Sequence, residues 1–595
     1  MGGPGGRSPH GGGVGGVPPQ IQKRGRVAHL SKPAHEWGPK PWQTLSQRGW
    51  ENSGPYPKCC QLLPFAPSSA IILSVSKLRL RRVMGILTWL YILLALALAL
   101  FGFNQFIILA LFFRHIKHAP PPPPDFEDEE LPTVTVQLPV YNEAWVVERA
   151  IDSSAGLDYP SDKLEIQVLD DSDDKTTEIA AKRVKWWQAK GLKITLIHRD
   201  GRNGFKAGAL AEGLKKASGQ FIAIFDADFV PPPDFLRRTI PYFLQNPRLG
   251  VIQTRWGHLN REYSPVTRAQ ALALDGHFLV EQVARQRAGL FMGFNGSAGV
   301  WRRRCIEEAG GWQSDTLTED LDLSYRAQLA GWECLFLPEI VVPAEIPPQL
   351  NAFKNQQKRW AKGSIQCLLK LAPAVLRSSR PAFHKFEAIL HLSNYLVHPL
   401  MLLSLLIVLP LLLQGVKIHF PLTYLTIASF GPPLVYLVAA LRGSDKGSRE
   451  MLFFPLLALM GIGIALNNTV AIAETLLKKG GEFERTPKFR LYRREGDWEG
   501  NPYAIREERM ALGEILVAFY ALAAIVVAWL KGFYWSIPFF LLYVGGFGYV
   551  GIGSLWHSLR PVLRERNFKK GRGKSQSPGV KLPYPNPHNT SSLGL

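Results

Sequence analysis

The chain has 595 residues, a formal charge of +21 and 46% hydrophobic residues, enough for more than one domain. So much positive charge beside so much apolar sequence fits a membrane protein with basic loops, and the scatter of Lys and Arg, with no finger, RRM or helix-turn-helix pattern, argues against nucleic acid as a partner. Cys59, Cys60, Cys305, Cys334 and Cys367 show no paired ligand spacing, which leaves no basis for a disulfide framework or a zinc site.

Residues 1–83 are Gly- and Pro-rich, aperiodic and basic, so disorder is the expectation. Met84 stands directly before an apolar run and makes a natural start, with the preceding arm expected to be non-native. From 84 to 113 the sequence is uncharged and longer than the ~20 residues that cross a bilayer. The prolines at 120–124 then form a stiff spacer, and the acidic run 125–130 marks a domain boundary.

In the segment 120–384, strand-like runs at 133–138, 165–169, 193–198 and 221–225 alternate with helical runs at 148–154, 176–189 and 206–217. This alternation predicts an α/β domain with a mostly parallel sheet, whose ligands sit at the carboxyl ends of the strands. Asp170-Asp171 and Asp226-x-Asp228 both fall at such ends.

Further apolar runs occur at 386–413, 419–441, 451–477, 511–531 and 533–556. Were all five to cross, the loop 478–509, with nine Lys or Arg, would leave the catalytic side, against the positive-inside rule. The run 451–477 is interrupted by Gly461, Gly463 and Asn467-Asn468-Thr469, and is expected to lie along the interface. That leaves four spanning helices after the domain, with the loop and the basic tail 557–595 on the cytoplasmic side.

The chemistry starts from two carboxylates at i and i+2 where a buried strand ends. Asp226 and Asp228 can hold one hard divalent cation, Mg²⁺ or Mn²⁺, against a diphosphate. An acid from elsewhere is then free for proton transfer, and Thr318-Glu319-Asp320 supplies candidates; the plainer role for that triplet is an N-cap on the helix expected to open at Leu321. Gln356, Arg359 and Trp360 share one helical face, where Arg can grip a diphosphate and the indole can stack on a sugar. The basic residues around them also suit an amphipathic helix at a membrane surface. His198, His258 and His277 form no ligand set and are expected to be structural or exposed, and Trp186-Trp187 is expected to pack a helix.

Taken together, Asp170-Asp171, Asp226-x-Asp228, Thr318-Glu319-Asp320 and Gln356-x-x-Arg359-Trp360 resemble the motif series of processive family-2 glycosyltransferases, above all the cellulose-synthase-like mannan and glucan synthases. Leu138-Pro139-Val140-Tyr141-Asn142-Glu143, Phe205-Lys206-Ala207-Gly208-Ala209, Gln253-Thr254-Arg255-Trp256 and Phe294-Asn295-Gly296-Ser297 extend the likeness over about 84–560. The resemblance implies a GT-A fold and Asp320 as the base. It also implies a donor pocket of Tyr141, Asn142, Glu143, Asp170, Asp171, Lys206, Gly208, Asp226, Gln356 and Arg359, with Phe294, Asn295, Gly296, Ser297 and Trp360 on the acceptor side. Residues 481–490 look like a gating loop, departing from the family pattern at Arg485. The expected activity is inverting transfer of mannose or glucose from GDP-mannose or UDP-glucose to a β-linked polysaccharide with export. The alternative is a non-processive enzyme glycosylating a lipid. The expected location is the plasma membrane of a bacterium, or the Golgi in a eukaryote.

Overall fold

The computed structural model describes residues 68–124, 126–417, 425–443, 447–477, 485–499, 501–505 and 509–570. Most of the Gly/Pro-rich arm, Phe483 and Glu484 of the gating-like loop, and the tail from 571 lie outside the described residues.

Helix α1 (Ser68–His115) leads into a seven-stranded sheet. Its strands β1 (Val134–Val140), β2 (Leu164–Asp170), β3 (Ile194–His198), β4 (Phe221–Ile224), β5 (Leu249–His258), β6 (Gly299–Arg302) and β7 (Glu333–Ala344) take the order β3-β2-β1-β4-β6-β5-β7. Only β6 runs antiparallel to its neighbours, β4 and β5. The sheet is therefore mostly parallel, as the alternating pattern predicts, and both β2 and the continuous apolar run of β4 are buried throughout, as strands covered on both faces must be. Helices α2 (Val147–Ala155), α3 (Thr176–Gln188), α4 (Phe205–Lys216) and α5 (Phe235–Gln245) cover it. α6 (Pro265–Gly276) continues through a π-helical turn, His277–Glu281, into α7 (Gln282–Arg287). α8 (Arg303–Glu308) and α9 (Glu319–Leu329) complete the domain, and α10 (Leu350–Arg377) carries the chain towards α11 (Ala382–Ser393) and α12 (Val397–Leu413).

Among the described residues, five helical stretches are long and apolar enough to cross a membrane: Arg79–His115, Ala382–Leu413, Met451–Leu476, Ala511–Leu530 and Tyr534–Arg560. Their outer faces expose large apolar side chains such as Trp89, Leu93, Leu516 and Phe519, a surface that water disfavours and lipid accepts. This is an integral membrane protein. Within Met451–Leu476 the α-helix breaks after Gly463 and resumes at Ala465.

Candidate active site

Where β4 ends, the chain turns and its two aspartates part company. Asp226 accepts from Lys206 Nζ at 2.6 Å and is steadied by its backbone N–H on Ser297 Oγ. Lys206 stands in the first turn of α4, behind a left-handed step at Gly204 and Phe205, and donates also to Gly296 O at 2.8 Å. Asp228 is fully buried; its Oδ2 accepts from the Glu345 N–H at 3.0 Å and from Lys488 Nζ at 2.8 Å, while its Oδ1 is buried without a partner.

The Thr-Glu-Asp triplet enters from the opposite wall. α9 opens at Glu319, two residues earlier than expected, and Thr318 occupies the N-cap position without making a side-chain cap bond. Lys206 lies 3.9 Å from Glu319, so one ammonium joins the strand-end and helix-end carboxylates. Gly296 has φ +81°, and a Cβ there would come within 2.7 Å of Asp320 Oδ2, so glycine alone permits that approach. Burial, then the neighbouring Glu319 charge, pushes the Asp320 carboxyl up to about 7, with Lys206 opposing. Burial likewise raises Glu319, and raises Glu143 to about 7 against the pull of Arg485 and Lys488. For Lys206, burial favours the neutral amine, but Asp226 and Glu319 outweigh it and hold the ammonium.

Gln356, Arg359 and Trp360 face this pocket from α10, with Arg359 within electrostatic reach of Glu319, Asp226 and Asp320. Tyr141, Glu143, Asp171, Asn295 and Thr318 also line it. The remaining expected residues stand behind the wall. Asp170 is fully buried and bound by Thr177 Oγ1 at 2.6 Å and His198 Nδ1 at 2.8 Å. Asn142, with φ +51°, bonds to Ser172 and Asp173 and shapes its turn. Phe294 packs edge-on to Trp301, Gly208 lies against the Asn203 carbonyl, and Ser297 supports Asp226.

Sequence reasoning left out several groups that the fold brings in. Arg202 stacks 3.4 Å above the Tyr141 ring in the pocket wall; its signal was a basic residue in a Gly-rich loop just past the carboxyl end of β3. His258, expected to be structural or exposed, is buried against Asp275 and also lines the pocket. His198 is structural, as expected, and Trp187 ties α3 to α2 through Asp152. Lys488, Arg485 and Thr486, part of the gating-like loop expected at 481–490, also line the pocket although they lie more than 250 residues downstream of Asp228.

Among the described residues no three His, Cys, Asp or Glu cluster as a metal site. The pair Asp226 and Asp228 nonetheless fits a hard cation completed by a ligand's own oxygens, because the orphaned, buried Asp228 Oδ1 lacks the partner that a buried carboxylate oxygen requires.

Residues 132–363 of the chain match the family described as glycosyltransferase like family 2. Its relatives are of one kind. Glucomannan 4-beta-mannosyltransferase 2 of Arabidopsis thaliana is 43% identical over 271 residues, 44% of this chain and 51% of that protein. Probable glucomannan 4-beta-mannosyltransferase 3 of Oryza sativa subsp. japonica is 37% identical over 359 residues, 59% of this chain and 64% of that protein. The chain thus spans about half to two thirds of the length of these relatives. A mannosyltransferase from Pyrobaculum calidifontis, solved in complex with GDP-Man and Mn²⁺, is 23% identical with a TM-score of 0.44, covering 65% of this chain and 99% of that one.

Proposed function

We propose that this protein is a membrane-embedded, inverting mannosyltransferase that takes mannose from GDP-mannose and extends a β-1,4-linked mannan or glucomannan. The observation that carries this is the convergence of Asp226, Glu319 and Asp320 around Lys206, with Asp228 held by Lys488, in one pocket that Arg359 and Trp360 also line. The relatives' names supply the sugar and linkage. Asp228, with Asp226, would hold Mg²⁺ or Mn²⁺. That cation, when bound, neutralises the leaving diphosphate.

The protein's own groups do the rest. Arg359 and Lys206 place positive charge where the diphosphate lies, and Trp360 offers a face to the acceptor sugar. Asp320 takes the acceptor hydroxyl proton; a carboxyl raised to about 7 by burial is a stronger base than an exposed one, is about half ionised at neutral pH and is largely ionised above it. A single base and a single displacement give inversion at the anomeric carbon.

Contacts support the topology read from the charge pattern. The two ends of Met451–Leu476 are tied to the catalytic side: Glu450 to Arg261 at 3.6 Å, Phe453 under Arg268, and Glu474 to Lys362. A helix held there at both ends runs along the interface, although its length and composition would let it cross. By contrast, 425–443 follows α1 from Gly102, where Gly431 packs backbone to backbone, down to Ile108 and Phe112, a descent of about 15 Å at 1.5 Å per residue. We therefore assign that segment the return crossing. Lys488 then reaches Asp228 from the catalytic side, which is read as cytoplasmic by the positive-inside rule.

The test is incubation of membranes with labelled GDP-mannose or UDP-glucose. Polymer from GDP-mannose, degraded by a β-1,4-mannanase, is expected. A single-sugar lipid would replace this reading with the glycolipid alternative.

A further inference from the structure

Asn295 reaches the pocket beside Gly296 and Asp320, and its amide is fixed from behind by groups that the reaction does not touch. Gln282 Nε2 donates to the Gly293 carbonyl at 2.8 Å, which settles that Gln282 presents its N–H₂ group here. The same nitrogen donates to Asn295 Oδ1 at 2.7 Å. Asn295 Nδ2 must therefore face His277, whose Nε2 lies 3.0 Å away and can only accept. The His277 proton is then on Nδ1, directed at Glu281 Oε2 at 3.1 Å. Glu281 is in turn held by Arg285 at 3.0 Å. Burial would raise the Glu281 carboxyl, but His277 and Arg285 together hold it well below the usual carboxylate range, so it stays an acceptor. His277 and Glu281 bound the π-helical turn between α6 and α7, the kind of irregularity that recurs at functional sites.

We propose that His277 is a positioning residue for the acceptor: with Glu281 and Gln282 it locks the Asn295 amide in one orientation, leaving one N–H and one carbonyl lone pair for a sugar hydroxyl. A hydroxyl both donates and accepts, so a fixed amide beside it sets which hydroxyl turns towards Asp320. This rests on the reading of Asn295 as acceptor-side. The Gln282 bond settles which end of the amide faces His277; without His277 as acceptor, the amide nitrogen loses that partner and the side chain is held at its oxygen end alone.

The experiment compares His277→Phe with His277→Gln in the full-length membrane protein, with a β-1,4-linked manno-oligosaccharide as acceptor and GDP-mannose or UDP-glucose as donor. Two rates are read: transfer to the acceptor, and hydrolysis of the donor without acceptor. His277→Phe is expected to raise the acceptor KM about tenfold, the worth of one net hydrogen bond of ~1.4 kcal/mol, while hydrolysis and donor KM stay near wild type. His277→Gln, whose Oε1 can accept from Asn295 Nδ2, is expected to recover most of the acceptor affinity. An unchanged acceptor KM in His277→Phe overturns the proposal, as does a parallel fall of transfer and hydrolysis in both variants. Transfer from UDP-glucose alone would overturn the mannosyl reading, while the contrast between the two variants, read with that donor, still decides the role of His277.

Discussion

Two acid pairs end two parallel strands, and the sequence presents them alike, yet the fold uses them differently. At the end of β2, Asp170 is saturated by Thr177, His198 and the Ser172 N–H, and Asp171 is clamped by the fork of Arg199, with Nε 2.7 Å from Oδ1. At the end of β4, Asp226 and Asp228 lean on two lysines, Lys206 and Lys488, and one buried oxygen has no partner. Rigid arginine and hydroxyl partners belong to a wall; lysines on flexible stems can yield to a cation and a diphosphate. The comparison separates an acid pair that builds the pocket from one that works in it.

The sharpest way to break it is Asp228→Ala, which is expected to abolish transfer and, in calorimetry with donor, to erase the difference made by a chelator. Retained chelator-sensitive binding would move the cation elsewhere. Next comes Asp320→Asn, expected to lower turnover by ~10² to 10⁴ with donor binding kept, since it removes the base and preserves shape. In the intact protein the same group predicts an acid limb: a carboxyl raised to about 7 is protonated below that pH, so turnover should fall as pH drops through 7 and level off above it. A limb at the ordinary carboxylate range, read in the pH profile, would dismiss Asp320.

Asp170→Ala should do the opposite of Asp228→Ala. It strips partners from Thr177 and His198 and is expected to cost about 2–3 kcal/mol of stability, seen as a lowered Tm in detergent, with little change in the cation requirement. The smallest effect is expected from Lys488→Met: freeing Asp228 Oδ2 should tighten Mn²⁺ binding a few-fold in a donor-free titration, because a fixed positive charge leaves the site. The side on which Lys488 arrives is testable with a cysteine at Arg494, which is exposed. Gly496, at φ +102° with Leu491 in the path of any Cβ, has no room for one. The label should resist an impermeant reagent in intact cells and react after permeabilisation.

The sequence by itself determined four strands of the sheet, β1 to β4, and the motifs. Buried strands and covering helices write their periods locally, which is why β1 to β4 appear within a residue or two of the expected runs. Gln356-x-x-Arg359-Trp360 was legible for the same reason, since i, i+3, i+4 on a helix fix a shared face without any distant contact, whereas Asp226-x-Asp228 was legible as an acid pair but the turn after β4 sends its members to different lysines. Only the tertiary structure decided which acids have free oxygens, because hydrogen-bond saturation depends on partners such as Arg199, Glu345 and Lys488 that lie 28, 117 and 260 residues from the groups they meet. It decided also what the ends of the stretch Met451–Leu476 meet: Glu450 pairs with Arg261 and Glu474 with Lys362. Hydropathy measures how readily a segment leaves water, whereas the direction it takes is set by ion pairs at its ends, and those belong to other parts of the chain.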